Sequence, residues 1–279
     1  MPTPASSQST TWNPQHYLRF AKQRAQPFVD LLARVRADED DAAEPGYVVD
    51  LGCGPGNATE LLTRRWPGAH VLGVDSSPQM IEAANTRAVP GHLEFRLGDL
   101  RKLTIDQLDR PADVLITNAT LQWVPGHLEL LPRLVGLLAP GGTFALGVPG
   151  NFDSPSHASL ADLQREPRWA SRLTGLEVRP SVPGPENYLR ALDAAGLAAE
   201  AWETTYMYVV DGEDGVFDFV SATALRPVLV ELGGPETPAA IEFSEEYRAV
   251  LRELYPATEF GGRTVQLLPF RRVFAIGVR

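Results

Sequence analysis

Residues 50–57 read Asp-Leu-Gly-Cys-Gly-Pro-Gly-Asn, with three glycines at every second position. An apolar run over 47–51 precedes this segment and a helical pattern over 57–65 follows it, so the glycines carry the chain from a strand into a helix. In that setting one glycine permits the tight turn, another admits a ligand to the backbone, and the third lets helix and strand approach. Such a turn belongs to folds in which strands and helices alternate. The chain keeps this rhythm, with strands expected at 69–74, 93–97, 113–117 and 143–148 and helices at 78–87 and 127–138. Pro78 suits the first turn of its helix, and Pro140-Gly141-Gly142 stops the last.

Asp75, at the end of the second strand and 21 residues after Gly54, completes the pattern. A carboxylate placed there accepts both hydroxyls of a ribose. The glycines and the acid together predict a nucleoside-type ligand. Dinucleotide sites usually space their glycines as G-x-G-x-x-G, which seats a pyrophosphate on the helix. Here the spacing is G-x-G-x-G behind Asp50. The opening of the helix is expected to add free N–H groups and a positive dipole end.

Beyond residue 149 the alternation loosens. Helix-like pieces lie between prolines over 151–184, a helix is expected at 185–195, and a strand at 199–210. Helices at 217–229 and 238–254 and a last strand at 271–278 complete the chain. Residues 1–11 read as a disordered tail and 12–36 as a helix that closes over a cleft, with Asn13 its N-cap before Pro14. The expected architecture is a single α/β domain over 12–279. It is doubly wound and Rossmann-like, with a seven-stranded, mostly parallel sheet. Cap segments are expected at about 151–184 and 211–262.

Formal net charge is −10 over 279 residues, which argues against nucleic acid and against an anionic membrane surface as partners. The apolar stretch over 130–148 is broken by Pro132, Arg133 and Pro140-Gly141-Gly142, too interrupted to span a bilayer. Cys53 is the only cysteine, so neither an internal disulfide nor a cysteine zinc site is available, and no histidine has metal-ligand spacing. The expectation is a cytoplasmic protein without a metal, either a monomer or a weak homodimer.

The loop resembles the first motif of class I methyltransferases. The wider chain resembles the trans-aconitate methyltransferase family. The likeness rests on Trp12-Asn13-Pro14 with Tyr17, Phe20, Arg24 and Pro27, on residues 50–57, on Gly73-Val74-Asp75-Ser76-Ser77-Pro78, and on Asn118-Ala119-Thr120-Leu121-Gln122-Trp123. Downstream it rests on Thr204-Thr205-Tyr206, Thr223-Ala224-Leu225-Arg226-Pro227 and Leu268-Pro269-Phe270-Arg271-Arg272. Residues 151–184 depart from the pattern.

The resemblance implies methyl transfer from S-adenosylmethionine to one carboxylate of trans-aconitate, giving a monomethyl ester and S-adenosylhomocysteine. The residues expected at the cofactor are Asp50, Gly52, Cys53, Gly54, Gly56, Asn57, Asp75, Ser76, Met80, Asp99, Leu100, Asn118 and Ala119, with Asp99 on the adenine amine by resemblance. A carboxylic acid is ionised at neutral pH and is its own nucleophile, so no general base is expected. An acceptor with three charges needs arginine forks to hold it against the protein's negative field. Arg24, Arg226 and Arg271 are the candidates, with Tyr17, Trp123 and Tyr206 as cleft walls. The competing readings are a methyltransferase for another small acceptor, a nicotinamide-dependent oxidoreductase, and a non-catalytic module that binds S-adenosylmethionine.

Overall fold

The computed structural model describes residues 21–35, 44–176, 181–221 and 223–279, with side chains from residue 25 onward. The expected tail, the Asn13 cap and Tyr17 therefore lie outside the described residues, as does the side chain of Arg24. The first described helix, α1 (Ala21–Arg34), covers part of the expected 12–36. Its Pro27, Phe28, Leu31 and Leu32 are buried.

The chain divides into two compact units. Among the described residues, the larger comprises 24–35, 44–150, 181–205 and 270–279. It holds β1 (Tyr47–Leu51), α2 (Thr59–Arg65), β2 (His70–Asp75), α3 (Pro78–Asn85) and β3 (Leu93–Leu97). Next come β4 (Ala112–Asn118), α4 (His127–Val135), β5 (Leu138–Pro149) and α7 (Pro185–Ala194). Parts of β6 (Ala198–Asp211) and β8 (Arg263–Val278) complete it. The sheet order is β3-β2-β1-β4-β5-β8-β6. β1 to β5 pair in parallel, and β8 runs antiparallel to β5. β1 is buried along its whole length, as a continuous apolar run between two helical layers must be.

Local chemistry explains the boundaries. Ser77 caps α3, its hydroxyl accepting from the Met80 N–H, with Pro78 at the first position. The predicted strand at 143–148 begins earlier, because Leu138 already pairs with Ala112; the register then shifts before Thr143 meets Val114. Pro140-Gly141-Gly142 is thus an irregularity within the strand. In the same unit His127, at the start of α4, is clamped between Val124 and α7. Its Nδ1 lies 3.2 Å from the Val124 carbonyl oxygen, which can only accept, so Nε2 accepts from the Tyr188 hydroxyl at 2.7 Å.

Among the described residues, the smaller unit comprises 21–23, 151–176, 206–221 and 223–269. It contains α5 (Pro155–Arg165), α6 (Pro167–Ala170), α8 (Gly215–Ser221), α9 (Arg226–Glu231), α10 (Pro238–Leu254) and β7 (Thr258–Phe260). α10 is capped by the Thr237 hydroxyl and buries Phe243, Tyr247 and Leu251. The Tyr247 hydroxyl donates to the Ser156 carbonyl at 2.8 Å, and the Ser156 N–H donates to the Tyr255 hydroxyl at 3.1 Å. The expected helix 217–229 is two helices, with Pro227 in the first turn of α9, where its missing N–H costs no helical bond. The final strand starts at Arg263, not 271, and pairs with β7 across Gly261-Gly262. Both glycines have positive φ, as a two-residue hairpin turn requires. The sheet therefore has eight strands where seven were expected, the eighth being this hairpin partner.

Among the described residues no helix is long and apolar enough to cross a membrane, and no group of three or more His, Cys, Asp or Glu side chains is placed to hold a metal ion.

Candidate cofactor and acceptor site

In the larger unit the loop leaves β1 at the C-terminal edge of the parallel strands, where open α/β sheets bind ligands. Its three glycines do separate work. A Cβ on Gly52 would lie 2.2 Å from the Thr120 side chain, so this residue lets the loop meet the turn after β4. A Cβ on Gly56 would lie 2.7 Å from the Phe95 ring and 3.2 Å from Ala84 Cβ, so this one packs the loop against β3 and α3. Gly54 has φ +55° and nothing within 4 Å of its Cβ position. It is the point at which the backbone faces open space.

Asp75 holds that point in place. Its Oδ2 accepts from the Gly54 N–H at 2.9 Å and its Oδ1 from the Ser77 N–H at 2.9 Å. Each oxygen keeps a lone pair, which is the acceptor set that a ribose diol needs. The N–H groups of Gly52 and Cys53 both donate to the Val74 carbonyl, and that of Gly56 to Cys53. These loop amides thus have partners within the protein, and the free N–H groups expected at the opening of the helix concern the residues that follow them. α2 starts only at Thr59, and its N-cap, Ala58, supplies no side-chain bond.

Asp50 lies behind the loop, 3% exposed, with its Oδ2 accepting from the Thr59 hydroxyl at 2.7 Å. Burial pushes its pKa up to about 6, helped by the neighbouring charge of Asp75 and opposed by the Thr59 hydrogen bond. Cys53 is buried and burial drives its thiol well above the usual range, so it fills space. Leu100 is also buried, so any ligand contact there is through its main chain.

Asp99 follows β3 and is held by Arg101 through four hydrogen bonds: the backbone N–H and Nε to Oδ1 at 2.9 Å each, and Nε and Nη2 to Oδ2 at 3.1 and 2.8 Å. Those bonds keep its carboxyl below the usual carboxylate range. Met80 and Asn57 are exposed near the start of α3 and α2, and Ser76 bridges Asp75 to the Ser77 cap. Asn118 ends β4. Ala119 beyond it has φ +54°, an uncommon conformation for a residue with a side chain, and is pinned by its N–H to Gly147 at 2.8 Å. Gln122 donates to the Ala119 carbonyl at 2.6 Å and fixes the same turn. The sequence offers Gln122, with Leu121 and Trp123, as a residue lining the cleft; its bond to the Ala119 carbonyl carries no sequence signal.

Of the expected acceptor residues, Trp123 and Arg271 belong to the larger unit, and Trp123 is 58% exposed. Arg271 donates through Nε and Nη2 to Glu203 Oε2 at 2.9 and 2.7 Å, and through Nη1 to the Gly150 carbonyl at 3.3 Å. Glu203 is the partner that sequence reasoning missed. Tyr206 and Arg226 belong to the smaller unit, Tyr206 beside Tyr208 and Arg226 at the start of α9; both are half-buried.

A family model described as a methyltransferase domain matches residues 48–142. The plantazolicin methyltransferase superposes with a TM-score of 0.53 at 13% identity, covering 95% of this chain and 90% of that one. The YcgJ protein from Bacillus subtilis gives 0.52 at 16% identity, covering 92% and 98%. These two likenesses concern the fold. Sequence relatives are much nearer. The trans-aconitate 2-methyltransferase of Streptomyces coelicolor is 52% identical over 95% of this chain and 86% of its own length. Those of Streptomyces avermitilis and Rhodococcus jostii are 49% and 44% identical, each over 95% of this chain and over 96% and 98% of their own. With this identity sustained from the glycine loop through the downstream motifs, the chain belongs to the trans-aconitate 2-methyltransferase family.

Proposed function

We propose that the chain transfers a methyl group from S-adenosylmethionine to a carboxylate of trans-aconitate. One observation carries the donor half: Gly54 faces open space while Asp75 braces it and keeps acceptor capacity for a ribose. Family membership carries the acceptor half. S-adenosylmethionine, when bound, supplies a methyl group on a sulfonium, and a carboxylate oxygen takes that methyl while the S–C electron pair returns to sulfur. No proton moves.

In this reading Asp75 takes the ribose hydroxyls and Asp99 the adenine amine, with Met80, Ser76, Asn57 and the Leu100 main chain around them. Gly52, Cys53 and Gly56 shape the loop. Asp50 favours the ammonium electrostatically, and Asn118 and Ala119 line the donor at the end of β4. The acceptor's spare carboxylates go to arginines, for which Arg271, Arg226 and, by the family motif, Arg24 are the candidates. Trp123, Tyr206 and Tyr17 form the walls. The work of these residues is placement, which contributes roughly 7–11 kcal/mol in well-oriented reactions. The reading places the enzyme in the cytoplasm, acting on a small polycarboxylate.

Mass spectrometry of products from trans-aconitate, cis-aconitate, citrate and isocitrate tests it. A monomethyl ester of trans-aconitate with stoichiometric S-adenosylhomocysteine is the expected result. Cofactor turnover with none of the four acids, but with a phenol or an amine, would overturn the acceptor assignment and keep the donor.

A further inference from the structure

Arg271 lies on the edge of the sheet at which ligands bind, and its surroundings are built around it. Its neighbour Arg272 pairs with Pro149 on β5, two residues beyond the row in which Gly147 meets both Asn118 and Phe274, so Arg271 stands three residues beyond that row. Three residues of strand are about 10 Å. Arg271 also accepts the Gly150 N–H at its carbonyl at 2.9 Å, and a Cβ on Gly150 would lie 2.9 Å from Arg271 Nη1. The glycine thus leaves room for the guanidinium.

The group in the fork is a carboxylate of the protein. Nε and Nη2 both reach the same oxygen of Glu203, whereas a full two-oxygen fork is the stronger arrangement. The Glu203 side chain is 48% exposed and that of Arg271 27%, so water and salt weaken the pair. Glu203 therefore offers Arg271 the same chemistry as an acid substrate, in an incomplete geometry.

We infer that Glu203 is a specificity-determining residue, an internal competitor that an acid must displace to reach Arg271. This rests on the reading that Arg271 binds a carboxylate of the acceptor. A monocarboxylate that displaces Glu203 exchanges one carboxylate for another and still loses its own translational freedom, so it gains little. A polycarboxylate recovers that cost through its other groups. Glu203 thus filters against simple acids while admitting those with several charges.

The test is Glu203→Gln, assayed by steady-state kinetics with trans-aconitate and with crotonate, a monocarboxylate, as competing inhibitor. The inhibition constant of crotonate falls about tenfold and the KM for trans-aconitate about threefold, each exceeding any change in kcat. In an Arg271→Gln background the Glu203 substitution has no effect, since there is no fork to free. Unchanged constants in Glu203→Gln, alongside a raised KM in Arg271→Gln, overturn the filter and leave Arg271 as an acceptor ligand. An unchanged KM in Arg271→Gln removes both Arg271 and the filter. Absence of any trans-aconitate ester from the unmodified chain brings down the acceptor reading itself.

Discussion

Asp50 is ionised at a cost. Its folded pKa, about 6, lies above the ordinary carboxylate value of 3.8, with burial the leading cause. The folded protein therefore holds this proton more tightly than the unfolded chain does. The penalty is absent below about pH 4, grows through the window up to 6, and is complete above it. Two pKa units correspond to about 3 kcal/mol. Asp50→Asn should raise the melting temperature at pH 8 and leave it nearly unchanged at pH 4, as read by scanning calorimetry. The same substitution should weaken S-adenosylhomocysteine about tenfold at pH 8, since one ionised group near its ammonium is lost. The acid and its place before the glycines were legible in the sequence. Its burial was not, because that depends on Thr59 folding back from α2 onto the end of β1. Glu203 was invisible for a similar reason: it lies 68 positions from Arg271 and meets it only through the sheet.

The loop and its helix divide labour between stability and binding, and glycine substitutions separate the two. Gly56→Ala forces a methyl group into the Phe95 ring at a backbone φ of +81°. It should cost about 2–4 kcal/mol in urea denaturation. Gly54→Ala meets no neighbour, so only the left-handed backbone cost of about 1–2 kcal/mol applies. Its larger effect should be on cofactor affinity, with calorimetry showing the S-adenosylhomocysteine dissociation constant raised more than tenfold. Equal losses of affinity in the two variants, once corrected for folded fraction, would contradict this division. The mostly apolar run of β1 and the apolar/polar alternation of β3 were readable to the residue. Those set by punctuation were harder. Pro227 and Gly261-Gly262 were present as signals, yet the apolar periodicity around them outweighed them in a linear reading.

At the scale of the whole molecule the sequence marks residue 149 as the end of strict alternation, and the compact units divide the described chain after residues 23, 150, 176, 205 and 269. Periodicity reports which residues are buried but not which distant segments share a core, so segments 151–176 and 206–269 could not be grouped from spacing alone. Ligand linkage offers a global test of the donor site. S-adenosylhomocysteine at 100 times its dissociation constant should stabilise the fold by about 2.7 kcal/mol. That is a rise of roughly 5–10 °C in melting temperature. NAD at the same concentration should produce none, and a comparable rise with NAD would return the site to the oxidoreductases. The amides of Gly52, Cys53, Gly54 and Gly56 already have partners in the protein. The loop thus keeps its shape between turnovers, and loading a new donor requires no folding step. Hydrogen exchange at these amides should be slow in the free protein and little slower with ligand. A catalytic cycle on such a loop spends no step on rebuilding the seat that the spent nucleoside leaves.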